Sequence, residues 1–276
     1  MQRILRSHFA FVLIVLLAGT SAGCAKLLAR DDLNKGVAAY KAGNFDQAIE
    51  KFKAAKEKDP TLLNARLYLA TAYASQYIPG APSEENIRKG QQAIEEFQGV
   101  LQADSGNLSA IDGIGSILFQ MAGSPFDEKR MAESRSYHEK HIQLDPTAKE
   151  PYYWVGVINW TLAYRANATI RKAWNDDNPR KTVKDEQPMP EKVRAEFQEK
   201  YGAVVEDGIK QLKQAVVVAP DYEDAMAYLN LLYRQRADMA ATPPEREEYL
   251  TQADNLVDQV KAIKQKKSEA ATGTPQ

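Results

Sequence analysis

Two imidazoles share one metal ion across a helical turn when they stand four residues apart, and a glutamate directly after the first can then act as a general base. The stretch "YHEKH", Tyr137 to His141, offers His138, Glu139 and His141, but its histidines are three apart and no third ligand stands near them. Core packing is their expected role. His8, the remaining histidine, ends the basic N-terminal stretch "MQRILRSH". The acid pairs Asp31-Asp32, Glu84-Glu85 and Asp176-Asp177 are adjacent in sequence, so their side chains diverge instead of converging on a substrate. Asp31-Asp32 suits the start of a first helix, where the dipole favours negative charge. "DGIGS" (Asp112–Ser116) has two glycines but no preceding strand, which a dinucleotide-binding turn requires. Neither a phosphate-cradling loop nor a nucleophile elbow is visible. The single cysteine, Cys24, excludes a disulfide within the chain and a thiolate metal site. These residues predict no catalysis, no cofactor and no metal.

The elements around them must therefore serve another purpose. The chain has 276 residues, 44% hydrophobic and 26% charged, enough for a sizeable core in one or two domains. Its net charge of −1 lacks the basic field that nucleic-acid binding needs. The N-terminus is basic in "MQRILRSH", apolar over the ten residues "FAFVLIVLLA" and small in "GTSAGC". A mature transmembrane helix takes about 20 apolar residues, whereas ten fit the core of a secretory signal. Residues 1–23 are thus expected to be a signal peptide.

"SAGC" resembles the lipobox of bacterial lipoproteins, whose cysteine becomes the lipidated first residue, although Ser21 stands where that family has an aliphatic residue. The resemblance implies lipidation of Cys24 and attachment to a membrane. Ala25, in place of Asp, implies in that family the outer membrane and its periplasmic face. "AKLLAR" (Ala25–Arg30) would then be a tether with a reach of about 20 Å when extended. At the other end "KKSEAATGTPQ" (Lys266–Gln276) is small and polar, and residues 267–276 are expected to be a disordered tail.

Between these ends the chain repeats itself. Its first unit carries Gly36, Gly43, Phe45, Ala48, Phe52, Ala55 and Pro60, small residues for close helix approach and phenylalanines to fill the gap. The spacing resembles the tetratricopeptide repeat, a helix–turn–helix of roughly 34 residues, with Asp32, Lys35 and Ala39 standing where that family favours Trp, Leu and Tyr. "LDP" (Leu144–Pro146) and "VAP" (Val218–Pro220) echo "KDP" (Lys58–Pro60), and the helical segments between them define five units: 29–62, 63–107, 108–148, 149–222 and 223–266. The expected fold is all-α, a right-handed solenoid in which each copy covers its neighbour's apolar face.

The added residues read as longer helices with their own start signals. Ser83, Ser124 in "SPFD" and Thr242 in "TPPE" each supply a capping hydroxyl, the last two with proline just inside and an acid three residues on. The fourth unit is the longest. Trp160, Tyr164, Ile170 and Trp174 prolong its first helix, Val193, Phe197, Tyr201, Val204, Ile209 and Leu212 mark a second from Pro190 to Val218, and polar Asn175–Pro190 lies between. This predicts a long hairpin, with residues 164–203 inserted and standing out from the array.

In the tetratricopeptide family the ligand-facing positions lie on the first helix of each unit. The resemblance carries them to Leu33, Val37, Tyr40 and Lys41, then Asn64, Leu67 and Thr71, then Asp112, Ser116, Phe119 and Gln120. In the fourth unit they are Tyr153, Val157 and Trp160, and in the fifth Leu231, Arg234 and Gln235. Chaperone-binding members clamp a C-terminal carboxylate with polar residues, but Leu33 and Val37 occupy two of those places here. What remains is an apolar, aromatic groove of the kind that anchors a peptide segment. The expected function is an exported, lipid-anchored scaffold that binds a partner protein, with a periplasmic binder of a non-protein ligand such as a glycan as the alternative.

Overall fold

The computed structural model describes residues 23–185 and 187–273. Of the signal peptide expected over residues 1–23, residues 1–22 lie outside them, as do residues 274–276. Helix α1 is described over 23–41. It is followed by α2 (Phe45–Lys58), α3 (Leu63–Gln76), α4 (Glu84–Ala103), α5 (Leu108–Met121), α6 (Glu128–Leu144), α7 (Lys149–Asp177), α8 (Glu191–Val218), α9 (Glu223–Met239) and α10 (Pro243–Thr272). Among the described residues the one β feature is an isolated bridge between Gly123 and Phe126. The fold is all-α. It divides into two compact bodies, the first ending at Arg130 and the second beginning at Met131.

In the first body consecutive helices α2, α3, α4 and α5 pack in order, each on the next. Its core is made of small residues and a few large ones: Ala48, Phe52, Ala55, Ala65, Leu69, Phe97, Ile111 and Ile114 are buried. Between α1 and α2 the approach is so close that a Cβ on Gly36 would meet the Phe52 ring at 2.5 Å. Polar ties run across the same faces. Lys56 meets Glu96 at 2.5 Å, and Gln76 donates to Asp46 at 2.7 Å.

The second body holds α6 from Met131 onward and α7 to α10. Its apolar core gathers Tyr152, Ala163, Met189, Val193, Phe197, Ile209, Leu212, Leu229 and Leu232. Gly156 of α7 faces Leu212 of α8, and an added Cβ would stand 2.3 Å from Leu212 Cγ and under 3 Å from both of its methyl carbons. Leu212 is fully buried and has no space to yield. Gly156→Ala is therefore expected to destabilise the second body by about 1–3 kcal/mol despite the better helix propensity of alanine. A drop in melting temperature that Leu212→Ala partly relieves in the double variant is the check, and an unchanged or higher melting temperature would count against this packing.

Turn chemistry repeats along with the helices. In "DPT" at Asp59–Thr61 and again at Asp145–Thr147, the aspartate accepts from the threonine hydroxyl at 2.6 Å and from its amide at 3.1 and 2.9 Å. Such Asx turns satisfy the chain where one helix stops and the next begins. Both carboxyls are held below their usual range, first by the threonine hydroxyl. Helix starts are capped by side chains: Ser83 accepts from Asn86 N at 3.2 Å, Asn107 from Ala110 N at 3.1 Å, and Thr242 from Glu245 N at 3.3 Å. Glu245 reaches back to the amide of Ala241 at 2.8 Å.

Several expectations need correction. The cap of α6 is Asp127, which accepts from Arg130 N at 2.9 Å, and not Ser124; the bridge between Gly123 and Phe126 takes "SPF" into the turn before the helix. Asp31 and Asp32 do not start the first helix, because "AKLLAR" is made of good helix formers and extends α1 back to residue 23. Asp32 is instead a buried carboxylate gripped by Lys58, with Lys51 at 3.6 Å, and Lys58 holds it below the usual range. For the same reason residues 25–30 are not an extended tether. As helix they span about 9 Å. At the other end α10 continues to Thr272 and stops at Gly273 in the left-handed conformation, so Lys267–Thr272 is helix and not disordered tail. Lys267 is tied to Glu223 at 2.7 Å.

The long hairpin of α7 and α8 does not stand clear of its neighbours. Asn167 and Arg171, in its distal half, are buried against α9. Arg171 sends Nη2 to Asp238 at 2.8 Å and Nε to Asn167 Oδ1 at 2.8 Å, while Nη1 reaches the carbonyls of Lys184 and Gln187 at 2.9 and 3.0 Å. Asn175 holds Val183 through both its backbone groups, at 2.7 and 3.1 Å. The connection between the helices is thereby folded onto the end of α7.

Candidate peptide-binding cleft

A cleft of about 330 Å³ opens in the second body. Trp160 and Tyr164 reach it from successive turns of α7. Leu231, Arg234, Gln235 and Asp238 come from one stripe of α9, spaced at three and four residues, and Arg246 and Leu250 from one face of α10. Asp185 borders it from the connection after α7. The stripes meet because α7 packs against α9 as well as α8, and α10 lies along α9.

Its aromatic wall is braced from behind. The Trp160 ring stacks on Tyr164 with centroids 5.1 Å apart and planes 18° apart, and Tyr228 meets it edge-on at 5.2 Å. Tyr228 in turn touches Tyr153 at 5.7 Å, and Tyr153 lies 5.3 Å from both Trp154 and Tyr222. Burial pushes the Tyr153 phenol up to about 12, with Tyr228 and Asp224 adding to it. Tyr222 is raised too, first by burial and then by Tyr153. These phenols stay neutral at any physiological pH and act as a rigid apolar support.

The floor is a polar network with its partners already assigned. Asp238 accepts from Arg171 and from Asn167 Nδ2 at 2.9 Å, and the same Asn167 group donates to Gln235 Oε1 at 2.9 Å. On the rim Arg234 pairs with Asp254 at 2.6 Å. The cleft thus has apolar walls in Leu231, Leu250 and Trp160, an exposed ring in Tyr164, and arginines near its mouth.

Of the positions carried over from the repeat family, Trp160, Leu231, Arg234 and Gln235 line this cleft. Tyr153 is half-buried in the aromatic support behind it. Val157 is only 2% exposed and belongs to the core, so it cannot be a groove residue; it sits on the inner side of the α7 stripe whose outer members are Trp160 and Tyr164. The other positions lie in the first body. On α1, Leu33, Val37 and Tyr40 are half-buried and Lys41 exposed, with Tyr40 OH 2.7 Å from Ser75 Oγ. On α3, Asn64 is exposed, and Leu67 and Thr71 are half-buried. On α5, Asp112, Ser116 and Phe119 are half-buried and Gln120 exposed. Cys24 is exposed on the first described turns of α1.

Five cleft residues escaped the reading of the sequence: Tyr164, Asp185, Asp238, Arg246 and Leu250. All belong to the turns and connection that lengthen these units beyond the family's repeat, where its ligand-facing positions have no counterpart. A spacing signal existed for two of them. Tyr164 is one turn beyond Trp160, and Asp238 two turns beyond Leu231.

His138 and His141 are buried on α6, and the His138 ring stacks on Trp154 at 5.9 Å with planes 15° apart. Among the described residues no group of three or more His, Cys, Asp or Glu could hold a metal ion. No helix among them is long and apolar enough to cross a membrane.

No protein-family model matches the chain, and no curated protein matches it by sequence. Solved structures do. The crystal structure of MamA superposes with a TM-score of 0.55 at 15% identity, over 84% of this chain and 92% of that one. MamA 41-end from Desulfovibrio magneticus RS-1 gives 0.52 at 15%, over 84% and 96%. YrrB, described as a TPR protein with an unusual peptide-binding site, gives 0.50 at 12%, over 86% and 90%. The fold is of the tetratricopeptide-repeat type. At these identities the likeness speaks for the fold alone.

Proposed function

We propose that the chain is a non-catalytic docking protein that holds a segment of a partner protein in the cleft between α7, α9 and α10. The observation that carries this reading is the convergence of Trp160, Tyr164, Leu231, Arg234 and Gln235 on one open site. Aromatic anchors with an arginine at the rim are the residue types that dominate protein-binding energetics. YrrB, with a peptide-binding site on the same type of fold, supports the mode of action. Leu231 and Leu250 favour an apolar peptide side chain over a glycan, and Gln235 Oε1 and Asp238 Oδ2 are already engaged by Asn167.

The reading extends to location. The basic-apolar-small order of residues 1–23 supports export, and "SAGC" supports lipidation of Cys24 on the periplasmic face of the outer membrane, in a role in cell-envelope assembly. Two measurements test these parts. In-cell crosslinking and pull-down of the tagged chain should recover a partner that Trp160→Ala, folded as judged by helicity and melting, retains at least tenfold less well. Equal recovery with the variant would remove the cleft from the account. Labelled palmitate should enter the wild-type chain and not Cys24→Ser; an unlabelled wild type would end the lipid-anchor reading.

A further inference from the structure

We propose that the first turns of α1 lie in the surface of the bilayer, with Leu27 and Leu28 inserted among the acyl chains beside Cys24. This rests on the membrane-anchored reading above and adds an orientation to it. Leu27 and Leu28 are large apolar side chains left 67% and 53% exposed on α1, whose buried residues are Ala29, Asp32, Gly36 and Ala39. In a helix of 3.6 residues per turn, Cys24, Leu27 and Leu28 share one face, at three- and four-residue spacing. Ala29 and Gly36, on the buried side, face elsewhere, Gly36 against Phe52. An acyl group on Cys24 would therefore leave the helix in the same direction as the two leucines.

The apolar strip ends abruptly. One turn further along the same face stand Asp31 and Lys35, an exposed ion pair at 2.6 Å. Lys26 and Arg30 flank the leucines as cations suited to anionic headgroups, within electrostatic reach of Asp59 in the turn after α2. A short apolar face bounded by charges is the pattern of an interfacial helix, which enters the headgroup boundary without spanning the membrane. The occupant is indicated by the chain itself: in sequence the apolar run Phe9–Ala18 ends only a few residues before Cys24, so these turns stand next to whatever bilayer receives that run or the cysteine's lipid. Because α1 is continuous from residue 23 to residue 41, contact at its start sets the orientation of the first body on the membrane.

Added tryptophans test this in the full chain reconstituted in phosphatidylethanolamine/phosphatidylglycerol vesicles with and without brominated acyl chains. Emission added by Leu27→Trp or Leu28→Trp should fall at least twofold in brominated vesicles, and emission added by Lys41→Trp, at the far end of α1, should not change. Emission at 27 and 28 that is as resistant as at 41 overturns the proposal, whether the site then faces water or a protein. Vesicle flotation and the mass of the N-terminal peptide separate the two readings. A chain that neither floats nor carries lipid overturns both, and one that floats with unquenched residues 27 and 28 overturns this one alone.

Discussion

Arg171→Ala will lower the unfolding free energy by about 3–5 kcal/mol, the usual cost of breaking a buried ion pair from one side. The Arg171 side chain is 5% exposed and that of Asp238 12%. Truncation leaves the buried Asp238 carboxylate to the Asn167 amide without its charge partner, and it leaves the Lys184 and Gln187 carbonyls without the guanidinium that folds the connection back. Urea denaturation gives the energy, and trypsin gives the location, since Lys181 and Lys184 should become sites of rapid cleavage. Arg171→Lys should recover little, because an ammonium cannot serve Asn167, Asp238 and two carbonyls as a planar fork does. Arg171→Met combined with Asp238→Leu should be less damaging than Arg171→Ala. A loss below 1 kcal/mol in Arg171→Ala, with unchanged proteolysis, would contradict the network's role.

The second large effect is a loss of stability in mild acid. Burial first, and His141 second, push His138 down to about 4 from its ordinary 6.5. The unfolded chain therefore binds a proton that the folded chain refuses between these values, so stability falls as pH drops through that window. The full contribution is present above about pH 6.5 and is lost by about pH 4, amounting to about 3 kcal/mol at 1.36 kcal/mol per unit. Carboxylates held low by their partners, such as Asp32 beside Lys58, give way at lower pH still and do not produce this slope. His138→Phe keeps a ring against Trp154 and should flatten the dependence between pH 6.5 and 4. The same slope in that variant would assign the acid sensitivity elsewhere.

The all-α class was readable because apolar residues at three- and four-residue spacing and small residues at Gly36, Ala48 and Ala55 leave little choice but paired helices. The caps at Ser83 and Thr242 were readable from a hydroxyl followed by an acid. What apolar periodicity could not show is polar burial. Asn167 and Arg171 look like solvent residues on a protruding arm, yet they form the contact that holds the hairpin to α9, and only the distant Asp238 explains them. The cleft was half visible for the same reason. Positions borrowed from a repeat of standard length found Trp160, Leu231, Arg234 and Gln235, but they could not reach Tyr164, Arg246 or Leu250 on the added turns. Those positions also placed Val157 in the groove, where helix rotation puts it in the core.

The central claim is that a partner protein occupies the cleft between α7, α9 and α10. A photoreactive amino acid at Tyr164, in living cells, tests it most directly, with Val217, 71% exposed on α8, as the control position. The account predicts a discrete protein adduct at 164 that disappears with Trp160→Ala and does not form at 217. No adduct at 164, or the same adduct from both positions, would contradict it.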